Sequence, residues 1–273
     1  MPDQVIKGDT AMTLNWTVLS GGQAATAGPI FVNVPTSAAL INDLAARMDR
    51  DAGFAVATLN LDHLVKLRTD AAFAKAYATH SHVTADGNPI VWLLRLVGEN
   101  IELCPGSELV EPVTRLAAHK QVSIALLGST QDTLEAATEH LKAIAPGLNV
   151  VSCLAPPMGF SPEGADADAF ITELRASGAG LVFLALGAPK QELLAARICD
   201  ALPGVGVLSI GAGLDFLAKT QTRAPTLVRR LALEWLWRLA SNPARFWRRY
   251  AACIAILPGL VWGALRHRLK ITG

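Results

Sequence analysis

The chain has 273 residues, 51% of them hydrophobic, and a formal net charge of +1. That length accommodates one large core or two modest ones, and the apolar content excludes a disordered chain. The near-neutral total conceals a division: residues 1–218 carry 13 Lys/Arg against 22 Asp/Glu, whereas residues 219–273 carry 11 against Glu234 alone. An acidic body with a basic tail points the tail at an anionic partner: lipid headgroups, nucleic acid or phosphates.

Residues 1–30 are polar, small and weakly patterned and read as an N-terminal preamble. They lack the basic start and apolar run of a signal peptide. Cys104, Cys153, Cys199 and Cys253 are scattered without zinc spacing, as expected of free thiols in a cytoplasmic body. FAVATLN (54–60) predicts a buried strand, and a helical pattern follows from Asp62 to Ala78. HVTADG (82–87) predicts a strand ending in a turn, then a helix around Ile90–Val97. VSIALLG (122–128) is the next strand, with Ser129 or Thr130 capping a helix to about Ile144.

NVVSC (149–153) is a strand and Asp168–Ala176 a helix. GLVFLALG (180–187) is a fully apolar strand before a helix from about Gln191 to Asp200, and VGVLSIGAG (205–213) is the last strand. Apolar strands alternating with amphipathic helices predict an α/β fold built on a parallel sheet, with helices on both faces. The expected organisation is the preamble 1–30, an α/β body 31–218 and a basic, aromatic appendage 219–273.

In open sheets of this kind ligands sit beyond the carboxyl ends of the strands. The loops there are Asn60–Asp62, Ala85–Gly87, Gly128–Thr130, Gly187–Gln191 and Gly211–Asp215. None is a Walker loop, and the glycine fingerprint of a Rossmann dehydrogenase is missing. Asp86, followed by Gly87, is either a general base facing the cleft or an Asp-Gly turn. Thr58 and Asn60 lie on one side of a strand end, where they can hydrogen-bond a sugar or cap the next helix. His63 reads as a helix-surface histidine. In GAPKQE (187–192), Lys190 and Gln191 occupy a helix start that attracts anions, and either can reach a diphosphate or a sugar. Asp166 and Asp168 (DAD) open a helix and read as helix-start acids; nothing in the sequence requires a metal or another cofactor.

The tail divides at Pro243 into two helical pieces. Arg238, Arg245 and Arg248/Arg249 are spaced to share a face if the direction is preserved, with Trp235, Trp237, Phe246 and Trp247 as interface-seeking aromatics. Residues 250–265 are uncharged and bounded by Arg249 and Arg266, but this block falls short of the ~20 residues a spanning helix needs and is interrupted by Pro258-Gly259. That pattern fits a segment lying in the headgroup region of an anionic membrane surface, with a tilted or re-entrant insertion as the alternative. It argues against a nucleic-acid arm, which rarely carries such an apolar block.

The ordered series TLNLDH, TADGNPIVW, LLGST, LGAPKQE, GAGLDF, RAP and LEWLWRLASNPARFWRR, spanning about residues 54–250, resembles the WecG/TagA/CpsF bacterial glycosyltransferases. The resemblance implies a Rossmann-like body whose C-terminal appendage completes the site at the cytoplasmic face of the cell membrane, as a peripheral enzyme. It implies inverting, metal-independent transfer of a sugar from a UDP-sugar to a polyprenyl-diphosphate-linked sugar, in polysaccharide synthesis. Asp86 then corresponds to the base, with Thr58 and Asn60 its companions at the donor sugar. Gln191 and Asp215 correspond to active-site or nucleotide contacts, and Arg238, Arg245 and Arg248 to appendage arginines that meet diphosphate. The family also suggests self-association off the membrane.

The chain departs from the family at Leu103 or Glu102, one of which stands where an arginine is usual, and at Glu108, where an aspartate is usual. Lys219 and Ala232 stand where glycine is usual. The extension 251–273 is longer and more apolar than the family pattern. A membrane-tethered, non-catalytic nucleotide-binding module is the alternative reading; the joint presence of Thr58, Asp86 and Gln191 favours the enzyme.

Overall fold

A computed structural model of the chain describes residues 14–22, 26–221, 224–225, 227–228 and 231–272. Its centre is a six-stranded, wholly parallel sheet in the order β2-β1-β6-β5-β3-β4. In chain order the elements are α1 (Trp16–Ser20), α2 (Ser37–Met48), β1 (Phe54–Leu59), α3 (Leu61–Leu67), α4 (Ala71–Ala78), β2 (His82–Ala85), α5 (Asn88–Leu96) and α6 (Gly106–His119). They continue with β3 (Ile124–Gly128), α7 (Gln131–Ile144), β4 (Val150–Leu154), α8 (Ala165–Ser177), β5 (Leu181–Ala185), α9 (Lys190–Ala201), β6 (Gly206–Ser209) and α10 (Gly213–Leu217). The tail contributes α11 (Glu234–Ser241) and α12 (Pro243–Thr272).

The expected strands are present, each trimmed at its ends. The single helix read over Asp62–Ala78 is two helices, because the Asp70 side chain accepts from the Phe73 amide and starts a second one. Thr130, as expected, caps α7 by accepting from the Thr133 amide. Helices α2 and α6, where no element was expected, close one face of the sheet. Alternating side chains explain how that face forms. Phe54 and Val56, Ile124 and Leu126, and Leu181 and Phe183 point into one core with α2, α6 and α7. Ala57 and Leu59 point the opposite way, into a core with α3, α4 and α5, while Val182, Leu184 and Val207 meet α8 and α9.

Within the segment read as preamble, Trp16 is fully buried and α1 packs in the core beside α3. At the bottom of β2, His82 joins Asp43 at 2.8 Å and Ser81 at 2.9 Å. The Ser81 hydroxyl also accepts from Ala55 N and donates to Ala55 O, so this trio knits β1, β2 and α2 together, away from the cleft. Asp166 and Asp168 lie in the first turn of α8, with Asp168 paired to Arg197, as befits helix-start acids.

The tail differs from its sequence reading in two ways. A continuous helix would place residues 235 and 250 about 22 Å apart, yet the Trp235 and Tyr250 rings are 5.9 Å apart. The chain folds back at Asn242–Pro243, so Arg238 does not continue the stripe of Arg248 and Arg249. Pro258-Gly259 does not interrupt the second piece either: α12 runs unbroken for 30 residues with Pro258 inside it. Its stripe Cys253, Ile256, Leu260 and Ala264, at spacings of three and four, is buried. Gly263 sits so close to Leu19 that a Cβ there would meet Leu19 Cδ1 at 2.2 Å. Both ends of the helix are fastened: Arg249 to Asp62 at 3.3 Å, and Arg268 Nη1 to the Leu96 carbonyl at 3.0 Å.

Candidate active site

The register Thr58↔Thr84 sets Asp86 one step beyond the end of β2 and above β1. Its amide donates to the Leu59 carbonyl at 2.8 Å, which turns the carboxylate back over β1. Thr58 Oγ1 donates to Asp86 Oδ2 at 3.2 Å, and Asn60 Nδ2 donates to the same oxygen at 3.4 Å. Gly87 follows at φ +111, a backbone state side chains resist, and releases the chain into α5. Burial pushes the Asp86 carboxyl above its ordinary value; the Asn60 and Thr58 donors pull it back, Glu234 pushes it up and Arg238 lowers it. The field of Glu234 and Arg238 thus reaches the carboxylate from the folded-back tail.

Asn60 has two tasks. Its Oδ1 caps α3 by accepting from the His63 amide at 3.0 Å, which leaves Nδ2 for Asp86. The cap and the sugar-side readings of Asn60 are therefore compatible. His63, expected on a helix surface, is buried; burial pushes its imidazole down to about 3, so the ring is neutral. Its place on the inward stripe with Leu64 and Leu67 was visible in the spacing.

Gln191 is buried at the start of α9. Its Oε1 accepts from Gly187 N at 3.2 Å and Gly211 N at 3.1 Å, so one side chain ties the loop after β5 to the loop after β6. Its Nε2 donates to Glu192 Oε1 at 2.8 Å. Glu192 is fully buried, its other oxygen has no hydrogen-bond partner among the described residues, and burial pushes its carboxyl up to about 7. Nothing in the sequence reading set Glu192 apart from an ordinary first-turn acid.

Lys190 Nζ donates to the Phe160 carbonyl at 2.8 Å and so holds a neighbouring loop, with Arg197 fastened to Pro162 of the same loop. Asp215 accepts from Ser129 Oγ at 2.6 Å and from Gln221 Nε2 at 3.1 Å, linking the loop after β3 to α10. Arg238 donates to Glu234 Oε1 through Nε at 3.0 Å and Nη2 at 2.7 Å, with its guanidinium 5.7 Å from the Phe216 ring. Arg248 lies over Trp247 at 5.3 Å. The Arg245 side chain and all of Arg223 lie outside the described residues. The structure therefore gathers Thr58, Asn60, Asp86 and Gly87 at one point, brings the field of Arg238 to it, and commits Gln191, Lys190 and Asp215 to the loops around it.

A cavity of about 720 Å³ opens between α6 and α10, lined by Ser107, Glu111, His140, Gly213, Phe216 and Lys219. Gly106, the first residue of α6, packs against Thr58: a Cβ there would touch Ile210 Cα at 3.1 Å and Thr58 Cγ2 at 3.2 Å. The segment carrying the departures at 102–103 runs along β2: Cys104 N donates to Ala85 O and Thr84 Oγ1 to Cys104 O, both at 2.8 Å. Leu103 is thus an exposed apolar residue beside the strand that delivers Asp86. Among the described residues no group of three or more His, Cys, Asp or Glu side chains is placed to hold a metal ion.

Residues 28–272 match the glycosyl transferase WecG/TagA/CpsF family. The N-acetylglucosaminyldiphosphoundecaprenol N-acetyl-beta-D-mannosaminyltransferase of Bacillus spizizenii is 24% identical over 221 residues, covering 81% of this chain and 82% of the relative. The chain belongs to the WecG/TagA/CpsF family and is a glycosyltransferase.

Proposed function

We propose that this WecG/TagA/CpsF glycosyltransferase moves a sugar from a UDP-sugar to a polyprenyl-diphosphate-linked sugar, with inversion, and that Asp86 is the general base. The observation carrying this reading is the convergence of Thr58 and Asn60 on one oxygen of a desolvated carboxylate at the strand ends. Both donors occupy Oδ2, leaving Oδ1 for an incoming hydroxyl. A base must be within hydrogen-bond reach of its proton, and a raised pKa makes the carboxylate a stronger acceptor.

In the step so written, the acceptor hydroxyl gives its proton to Asp86 while its oxygen attacks the anomeric carbon. The bond from that carbon to the UDP oxygen breaks from the opposite side, and UDP departs with the electron pair. Negative charge grows on the diphosphate, so cations fixed near it stabilise the transition state more than the ground state. Arginines meet that charge in this reading without a metal. Arg238 is suited to it if it exchanges Glu234 for the diphosphate, whose oxygens match the planar guanidinium fork. Arg245 and Arg248 supply further cations. The cavity between α6 and α10 has the size of a small-ligand site and takes the donor in this scheme.

Membrane docking follows from α12. By length and composition Phe246–Lys270 is long and apolar enough to cross a membrane. Its attachment to the body at both ends, and its buried stripe on the core, favour a helix lying along the surface. The outer face exposes Ile254, Val261, Trp262, Leu265 and Leu269, with Arg248 and Arg266 near its ends. Apolar area flanked by cations suits the headgroup boundary of an anionic leaflet, here the cytoplasmic one.

UDP release from a panel of UDP-sugars, beginning with UDP-N-acetylmannosamine and run with membranes carrying polyprenyl-diphosphate-linked sugar, tests the proposal. Release that depends on both one donor and the lipid-linked acceptor supports it; donor hydrolysis indifferent to the acceptor contradicts it.

A further inference from the structure

Beneath the proposed base lies a histidine that the transfer scheme does not use. His63 Nε2 is 3.5 Å from Asn60 Nδ2, and its Nδ1 is 3.5 Å from the Tyr77 hydroxyl. The ring is wedged edge-on between Phe73 and Tyr77, with centroids 5.9 Å away in each case. An amide nitrogen can only donate, so contact with Asn60 requires a lone pair on Nε2. A neutral imidazole has one such nitrogen, so this hydrogen bond places the proton on Nδ1, on the Tyr77 side; the Thr58 carbonyl, which also meets the ring, is the competing partner for a ring N–H. Asn60 Nδ2 carries two hydrogens. Asp86 Oδ2 takes one, at 3.4 Å, and His63 Nε2 takes the other.

We propose that His63 is a positioning residue for sugar transfer: its Nε2 lone pair fixes the Asn60 amide in the orientation that donates to Asp86. The proposal rests on Asp86 being the base. The cap that Asn60 Oδ1 gives to the His63 amide and the acceptor that His63 Nε2 gives to Asn60 are reciprocal, so residues 60 and 63 hold each other across the first turn of α3. This arrangement needs an imidazole that stays neutral. Burial is the main reason it does, reinforced by the Lys66 and Arg249 charges and opposed by Asp62 and the Thr58 carbonyl. Phe73 and Tyr77 of α4 close its remaining sides. The groups that in turn act on Asp86 are Thr58, Asn60, Glu234 and Arg238, and its charge is felt by the buried Tyr77 and Cys104.

The base works ionised, so turnover rises with pH through the pKa of Asp86 in the bound complex. Loss of the His63 acceptor loosens the Asn60 donor, weakens stabilisation of the carboxylate and raises that pKa. The acid limb of kcat then moves to higher pH.

Two substitutions separate this role from packing. His63→Gln keeps an acceptor near the Nε2 position, while His63→Phe keeps the ring volume and the aromatic contacts without an acceptor. His63→Phe is expected to lower kcat about 3- to 10-fold and to move the acid limb up by roughly half a unit to one unit, with KM for the donor little changed. His63→Gln is expected to restore both. A folded His63→Phe enzyme with kcat and acid limb unmoved overturns the proposal. Should His63→Phe fail to fold, ¹⁵N imidazole shifts of the unaltered protein decide: Nδ1 protonated and Nε2 bare between pH 5 and 9 supports it, and the opposite tautomer overturns it. Asp86→Asn in the same assay keeps the two readings apart. If that variant retains full turnover, the base reading falls and this one with it; if it is inactive while His63→Phe is unaffected, only the positioning role falls.

Discussion

Thr58 Oγ1 lies 3.2 Å from Asp86 Oδ2, a contact made by adjacent parallel strands between residues 28 positions apart in the chain. The hydroxyl donates, so it stabilises the carboxylate and holds its pKa below what burial alone would set. Thr58→Val removes the donor and keeps the shape. We expect kcat to fall about tenfold, with its acid limb displaced to higher pH, because more hydroxide is then needed to ionise Asp86. A pH–rate series on the two proteins measures both effects.

Glu192 provides a stability prediction independent of catalysis. Its folded-state pKa is raised from 4.5 to about 7, so between those values the folded chain holds a proton that the unfolded chain has released. Stability from this group is therefore greatest below pH 4.5 and declines as pH rises to about 7. Glu192→Gln, which can still accept from Gln191 Nε2, escapes the penalty. Denaturation at pH 8 should find the variant more stable by on the order of 2 kcal/mol, with the difference vanishing near pH 4.

Two departures from the family's glycines have a backbone explanation. Lys219 has φ +57 and Ala232 has φ +60, left-handed conformations that cost an L-residue roughly 1 kcal/mol. Lys219→Gly and Ala232→Gly relieve that cost while adding chain entropy to the unfolded state. Each should be neutral to stabilising, by up to about 1 kcal/mol in urea titration, although glycine is usually destabilising elsewhere.

The two faces of α12 separate folding from membrane docking. Leu260 is buried, and Leu260→Ala should cost about 2–4 kcal/mol. Trp262 is 59% exposed, and Trp262→Ser should leave Tm unchanged while weakening sedimentation with anionic vesicles about tenfold or more. Equal vesicle binding by Trp262→Ser and the unaltered protein would remove the outer face from the docking surface.

The sheet was legible because buried parallel strands such as LVFLA are apolar throughout and stand apart from the amphipathic helices between them. Helix α6 was not, because Pro112 lies inside it and its apolar positions are interleaved with Glu108 and Glu111. Asp86, Thr58 and Asn60 could be proposed together from strand-end position and family pattern, yet their convergence on one oxygen depends on the β1–β2 register, which no local pattern encodes. Gln191 was expected to face a ligand; that it braces two loops depends on the distance between β5 and β6. The folding back at Pro243 was equally hidden, since a proline before a helical run marks a boundary without giving the angle of the turn. His63 was misread because its polar type outweighed its place on the apolar stripe with Leu64 and Leu67; its partners Asn60 and Tyr77, which no spacing reveals, are what let it sit inside.

The central claim is that Asp86 takes the acceptor's proton in a transfer to a lipid-linked sugar. Its most direct test compares intact protein and Asp86→Asn for acceptor-dependent UDP release, with the fold checked by thermal melting and donor binding by calorimetry. The account predicts that Asp86→Asn binds the UDP-sugar, melts no lower than the unaltered chain because a buried charge has been removed, and loses at least about a thousandfold in kcat. A variant that turns over at the intact rate would contradict it.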